Sequence, residues 1–350
     1  MRKFVMLGIA LLPLSAGLAM AQPAASPPPY HVAKTVALGA PDRWDYIVYD
    51  QGMHRVYVSH GDRVTVVDGK DGTILGNIEG AMPGGTHGIG ISAATGKGYT
   101  DDGAAGVAVP FDLKTFKPGK PIKAEKDADG IAFDPTSGHV FVVNGDAEKL
   151  TVIDPKTDSA IATIDIGGGL EYAVAGNNGK VYVNGAEKKE IVRVDTATNK
   201  VDARWPIPGC TSPHGLAVDS ASHRLFPTCQ NGVLTVVNTD SGAVVATIPI
   251  GQGTDGAAFD PKRKLIFSSN NDGTLSVIQE KDPNNFVSLG SIKTQVTGKN
   301  MGIDPDSGRL YVAVADIDPN AAVPPGPGGR PGRPRPLPGS LKLLFIDPGP

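Results

Sequence analysis

The sequence predicts an all-β fold: a seven-bladed β-propeller with four antiparallel strands per blade. One unit and its period carry that prediction. Between Asp129 and Gly168 lie four short apolar runs, GIAF, HVFVV, KLTVI and AIATIDI, each ended by Asp-Pro, Asn-Gly-Asp or glycine turn chemistry. Short runs rich in β-branched and aromatic residues with such punctuation read as strands and are too brief for helices. The unit recurs, its innermost strand starting at Tyr46, Gly88, Gly130, Tyr172, Gly215, Gly256 and Asn300, with spacings of 42, 42, 42, 43, 41 and 44 residues. A lone four-stranded sheet cannot bury both faces, so seven copies at this period stack around an axis.

HVFVVNGDAEKLTVIDPKTD and KVYVNGAEKKEIVRVDTATNKV resemble the YVTN-repeat seven-bladed propeller family, the YncE-like periplasmic proteins, over residues from about His31 to Asp347. The resemblance implies the fold. It does not imply one activity, because such propellers host unrelated functions.

Arg2-Lys3, the apolar run Phe4 to Met20 and Ala19-Met20-Ala21 predict a signal peptide over 1–21, with the mature chain starting at Gln22 and localised to the periplasm. Pro13 interrupts the run, no cysteine follows the cleavage site, and no other stretch is apolar enough to span a bilayer. Removing Arg2 and Lys3 deepens the formal net charge of −3 by two. Mild acidity gives no basic footprint for nucleic acid. Residues 22–30 form a Pro-rich, disordered stalk, and 31–347 a single propeller domain. His31 to Gly39 resembles the outermost strand VVATIPIG at 244–251, whereas the last copy lacks that strand after LKLLFID at 341–347. The N-terminal strand is therefore expected to complete the seventh blade and remove its free edge. A closed circle needs no partner, so a monomer is expected.

Cys210 and Cys229 fall in one copy on one face, which in an exported chain predicts a disulfide; a thiolate metal site or redox pair is the alternative, unsupported by any CxxC. The Pro/Gly/Arg-rich loop at 321–340, with Arg330, Arg333 and Arg335, interrupts the seventh copy between its second and third strands. It is expected to be flexible and to overhang the face where the innermost strands begin.

That face is where function is expected. The residues just before the anchors are Asp45, His87, Asp129, Glu171, His214, Asp255 and Lys299, all ionisable in a chain only 20% charged. Around a propeller axis they would encircle the channel mouth. A second tier is expected from the ends of the second strands: His60, Asp102, Asn144, Asn184, Cys229, Asn270 and Asp316. A polar channel mouth needs no function where solvent reaches it. Beyond that, the favoured reading is binding of a small-molecule ligand or periplasmic protein at the mouth, using Arg43, Trp44, Asp45, Tyr46, Tyr172, Lys299 and His60. Lys299, Arg43 and the loop arginines would hold an anionic group, and the aromatics would stack; Trp44 also reads as a packing residue. The alternative is a divalent-metal-dependent, lactonase-like hydrolase or lyase. His87, His214 and Glu171 would hold Zn, Mn, Fe or Ca, and Asp129 or Asp255 would act as base. The two histidines stand in copies on nearly opposite sides of the ring, and no HxH or HxxxH spacing links them. The family resemblance adds single-stranded DNA as a candidate; an acidic ring disfavours it.

Overall fold

A computed structural model describes residues 30–321, 323 and 335–349. The expected signal peptide at 1–21 and the stalk up to residue 29 lie outside the described residues, as do 322 and 324–334 of the 321–340 loop.

Seven four-stranded antiparallel sheets follow one another along the chain. The third blade, for example, runs outward through Ala128–Asp134, His139–Asn144, Lys149–Asp154 and Ser159–Asp165. Aspartate closes strand after strand because its carboxylate caps the backbone donors that leave the ladder. Asp134 accepts from the N–H groups of Thr136 and Ser137, Asp260 from Lys262 and Arg263, and Asp112 from Lys114 and Thr115.

One sheet departs from chain order. Tyr30–Ala37 pairs antiparallel with Lys342–Pro348, Tyr30 opposite Pro348 and Ala37 opposite Lys342, so the N-terminal strand supplies the outer strand of the seventh blade. It starts at Tyr30, one residue earlier than expected, because that ring packs on Phe267 with centroids 5.4 Å apart.

The core lies between blades. The seam between blades three and four joins Phe141, Val143, Leu150 and Val152 to Val181, Val183, Val192 and Val194. Each second strand contributes one aromatic, Tyr57, Tyr99, Phe141, Tyr182, Phe226, Phe267 or Tyr311, none more than 1% exposed. Neighbours cover both faces of these strands, which is why they read as continuous apolar runs. At the axis the inner strands converge so closely that a Cβ on Gly88 would lie 2.6 Å from the Ile131 nitrogen, and one on Gly215 2.7 Å from that of Ala257. Only glycine permits that approach.

The far end of the 321–340 loop is tied to the blade. Pro336 bridges Ile317, the Leu337 N–H donates to the Asp316 carbonyl at 2.7 Å, and Asp42 accepts from the N–H groups of Gly339 and Leu341. Among the described residues no helix is long and apolar enough to cross a membrane.

Candidate functional site at the channel mouth

The ring residues reach the channel through a recurring irregularity. In blades three to seven the pairing of first and second strands shifts register between Ala128 and Gly130, Leu170 and Ala173, Pro213 and Leu216, Thr254 and Gly256, and Lys299 and Met301. Asp129, Glu171, His214, Asp255 and Asn300 sit in these bulges. A bulge takes its extra residue out of strand alternation and re-aims the side chain.

The result is a cavity of about 630 Å³ at the mouth, lined by Asp45, Asp129, Glu171, His214, Asp255 and Lys299 from six blades. His87, the seventh ring residue, is hydrogen-bonded to Asp45 in its wall. The Tyr46 and Tyr172 rings, from blades one and four, stack with centroids 4.6 Å apart and also line the cavity. The Tyr46 hydroxyl would sit only 2.9 Å from a Cβ built on Gly130 of blade three, so this side chain crosses the channel. The glycine at that anchor leaves room for the Tyr46 hydroxyl, and the two rings form the floor.

Two groups of side chains occupy the wall. In the first, His87 Nδ1 lies 2.8 Å from Asp45 Oδ2 and 3.2 Å from Asp129 Oδ1, while Nε2 is 3.0 Å from Arg43 Nη2. Arginine can only donate, so in the neutral imidazole Nε2 accepts and Nδ1–H faces the carboxylates. Asn300 donates to Asp45 Oδ1 at 2.7 Å. Asp101, behind His87, accepts from the His87 and Gly88 backbone N–H groups, each at 2.7 Å. Burial opposes protonation of His87, but Asp45 and Asp129 outweigh it and hold its pKa above the ordinary value. Burial likewise opposes the Asp45 charge; Lys299, His87 and Arg43 outweigh it and pull that pKa down. Asp129 is driven well up by burial and by Asp45 and Glu171, and Asp101 by its burial above all.

The second group is looser. Glu171 Oε1 stands 3.4 Å from His214 Nε2, and Lys299 Nζ 3.5 Å from Asp255 Oδ2. Burial, then Asp255, Asp45 and Asp127, push Glu171 up to about 8 against the counter-pull of Lys299. The Ser212 carbonyl accepts from His214 Nδ1 at 3.1 Å, which leaves Nε2 of the neutral ring facing Glu171. Asn184 donates to the His214 and Gly215 carbonyls across the seam and holds this bulge in place. The expected disulfide is present: Cys210 and Cys229 are bonded, with Cα atoms 5.4 Å apart, and brace the segment that carries Ser212 and His214.

Several expected residues lie elsewhere. The metal set His87, His214 and Glu171 does not converge; His87 joins Asp45 and Asp129 while His214 joins Glu171, since the histidines come from blades two and five. His60, expected to bind ligand, is 2% exposed and bonded to the Thr65 hydroxyl and the Gly39 carbonyl. The rest of the expected second tier is also absent from the cavity wall. Asn144 and Asn270 bond to Thr151 and Ser276 of the third strands, as His60 does to Thr65. Trp44 is a packing residue, 7% exposed in the seam between blades seven and one. Lys299 is paired with Asp255 and Arg43 contacts His87, so neither stands ready for an anion.

Sequence reasoning overlooked Asn300, Asp101, Asp127, Asp146 and Glu187. Asp146 and Glu187 occupy turns between second and third strands, which return to the mouth face, and Asp127 precedes an inner strand; all three line the cavity. Their positions in the repeat were the available signal. For Asp101 it was an acidic pair ending an otherwise buried strand.

Fold and site together define a seven-bladed propeller with an acidic cup at its axis. A model of a domain of unknown function, DUF5074, matches residues 80–222. The chain is 26% identical over 177 residues to the uncharacterized protein YncE of Salmonella typhimurium, the match spanning 49% of this chain and 49% of that relative. Matches and fold together support a YncE-like seven-bladed propeller family. Among solved structures it is similar to U3-55K (TM-score 0.75, 11% identity, 91% of this chain and 100% of that one). It is also similar to Kuenenia stuttgartiensis hydrazine synthase (TM-score 0.68, 13% identity, 85% and 95%) and the RRP9 WD40 repeats (TM-score 0.75, 11% identity, 92% and 99%). At such identities the likeness concerns fold alone.

Proposed function

We propose that this chain is an exported, periplasmic propeller that binds a small ligand, or a protruding group of a protein partner, in the cup at its channel mouth. The cavity carries the reading. About 630 Å³ lies inside the usual range for small-ligand sites, roughly 300–1,000 Å³, and it is framed by ionisable groups from six blades over an aromatic floor. The buried Cys210–Cys229 disulfide supports an oxidising compartment. Phosphates entering the cup would meet carboxylates, which disfavours nucleic acid. Ala186 lines the cavity, so Ala186→Trp occludes it. A periplasmic extract should raise the melting temperature of the wild type and leave Ala186→Trp unchanged; equal shifts, or none in either, reject the reading.

A divalent-metal hydrolase or lyase is favoured by one observation: ligand atoms of Asp45, His87 and Asp129 lie within 4.8 Å of one another. Two carboxylates and an imidazole suit Zn, Mn or Fe. The fit is incomplete, because His87 already bonds to Asp45 and Arg43 sits on its other nitrogen. A stoichiometric divalent ion in protein purified without nickel, lost in His87→Ala, would establish this reading; metal-free preparations would reject it.

A further inference from the structure

Resting on the cup as a binding site, we infer that its ligand is an organic cation with more than one ammonium group on an aliphatic body, of which polyamines are the simplest class. The first support is the floor. Tyr46 and Tyr172, stacked on each other, are among the residues that line the cavity, and a phenol ring within about 6 Å favours a cation over an anion. Aromatic surface also favours an aliphatic body over a hydrated metal ion.

The second support is the distribution of charge. Asp127, Asp129 and Asp146 come from the blade-three side, Glu171 and Glu187 from blade four, and Asp45 and Asp255 from blades one and six; Lys299 and His214 are the basic residues among those lining the cavity. Acids spread around a volume of about 630 Å³ match several separated positive groups better than a single point charge. Carboxyl groups line the cavity from blades one, three, four and six, so an anion meets the wrong field over most of the wall. The same arrangement makes binding proton-linked. The groups facing Glu171 are His214, Asp255, Asp45, Asp127, Asp129 and Lys299; burial, Asp255, Asp45 and Asp127 hold its carboxyl up at about 8 against the pull of Lys299. A bound ammonium favours the carboxylate, so binding releases a proton from Glu171 and tightens as pH rises through that value.

The test is calorimetric titration of the full mature chain with spermidine, hexamethonium (a dication whose charge is independent of pH), magnesium, calcium and citrate, at pH 7.0 and 8.5. Wild type, Glu171→Gln and Ala186→Trp are compared, with circular dichroism confirming that each variant folds. We expect one spermidine per chain and a hexamethonium affinity several-fold higher at pH 8.5. At pH 8.5, where Glu171 is ionised, Glu171→Gln should weaken spermidine about tenfold; it should also abolish the pH rise, and Ala186→Trp should remove binding. Spermidine binding that survives Ala186→Trp is surface attraction and overturns the inference, as does magnesium or calcium binding in the cup without spermidine. If citrate binds and is lost in Ala186→Trp, the cation assignment fails while the cup stands as a binding site. If neither this panel nor a periplasmic extract distinguishes Ala186→Trp from wild type, both fail.

Discussion

Between blades three and four, Phe141 and Val143 meet Val181 and Val183 in a seam of hydrocarbon, while at the axis the same two blades carry Asp129 and Glu171, whose pKa values are both raised. The seam gains from every apolar area removed from water. The mouth does the reverse: it gathers carboxylates that repel one another and that burial disfavours. Seams can therefore be read as the source of stability and the mouth as a site where stability is given up for chemistry.

Substitutions can break or sharpen that contrast. Deleting residues 30–37 strips the outer strand from blade seven, removing Tyr30 from one seam and Val36 from the next. It should lower the melting temperature more than any point substitution; a shift of only a few degrees would show that the circle does not need this strand. Phe141→Ala should follow at about 3–5 kcal/mol in urea unfolding, independent of pH. A strong pH dependence in that variant would blur the line between seam and mouth. Reducing Cys210–Cys229, which closes a separation of 19 residues, should cost about 3 kcal/mol in the chain-entropy view. It should also loosen His214, so that ligand binding falls with stability; unchanged binding would make the disulfide a brace for the seam alone.

The propeller was legible because turn residues at a constant period of about forty define the blades without knowledge of any contact. The ring was legible for the same reason: equivalent positions in a rotational repeat converge. Pairing within the ring was not. Whether His87 meets Asp45 or Glu171 depends on angular separation between blades, and sequence spacing is the same for every adjacent pair. His60 shows the complementary error. Its place at a strand end suggested the mouth, but the side chain turns inward to Thr65, and a period-two pattern does not reveal that when both faces of the strand are buried. The Tyr46–Tyr172 stack joins blades one and four, three repeats apart. The glycine at the blade-three anchor, Gly130, where the Tyr46 hydroxyl arrives, hinted at it.

The most direct measurement is urea unfolding of wild type and Glu171→Gln at pH 5 and pH 8.5. Glu171 holds its proton more tightly in the fold, at about 8, than at its ordinary value of 4.5. Its contribution is therefore complete below about 4.5 and is lost as pH rises through about 8. Asp129 and Asp101 shift in the same sense and Asp45 in the opposite one, so the difference between the two proteins reports Glu171 together with its repulsion of Asp129. The account predicts that wild type falls relative to Glu171→Gln between the two pH values and that the variant is at least as stable at pH 8.5. A variant destabilised equally at both pH values, as a seam substitution would be, would contradict it.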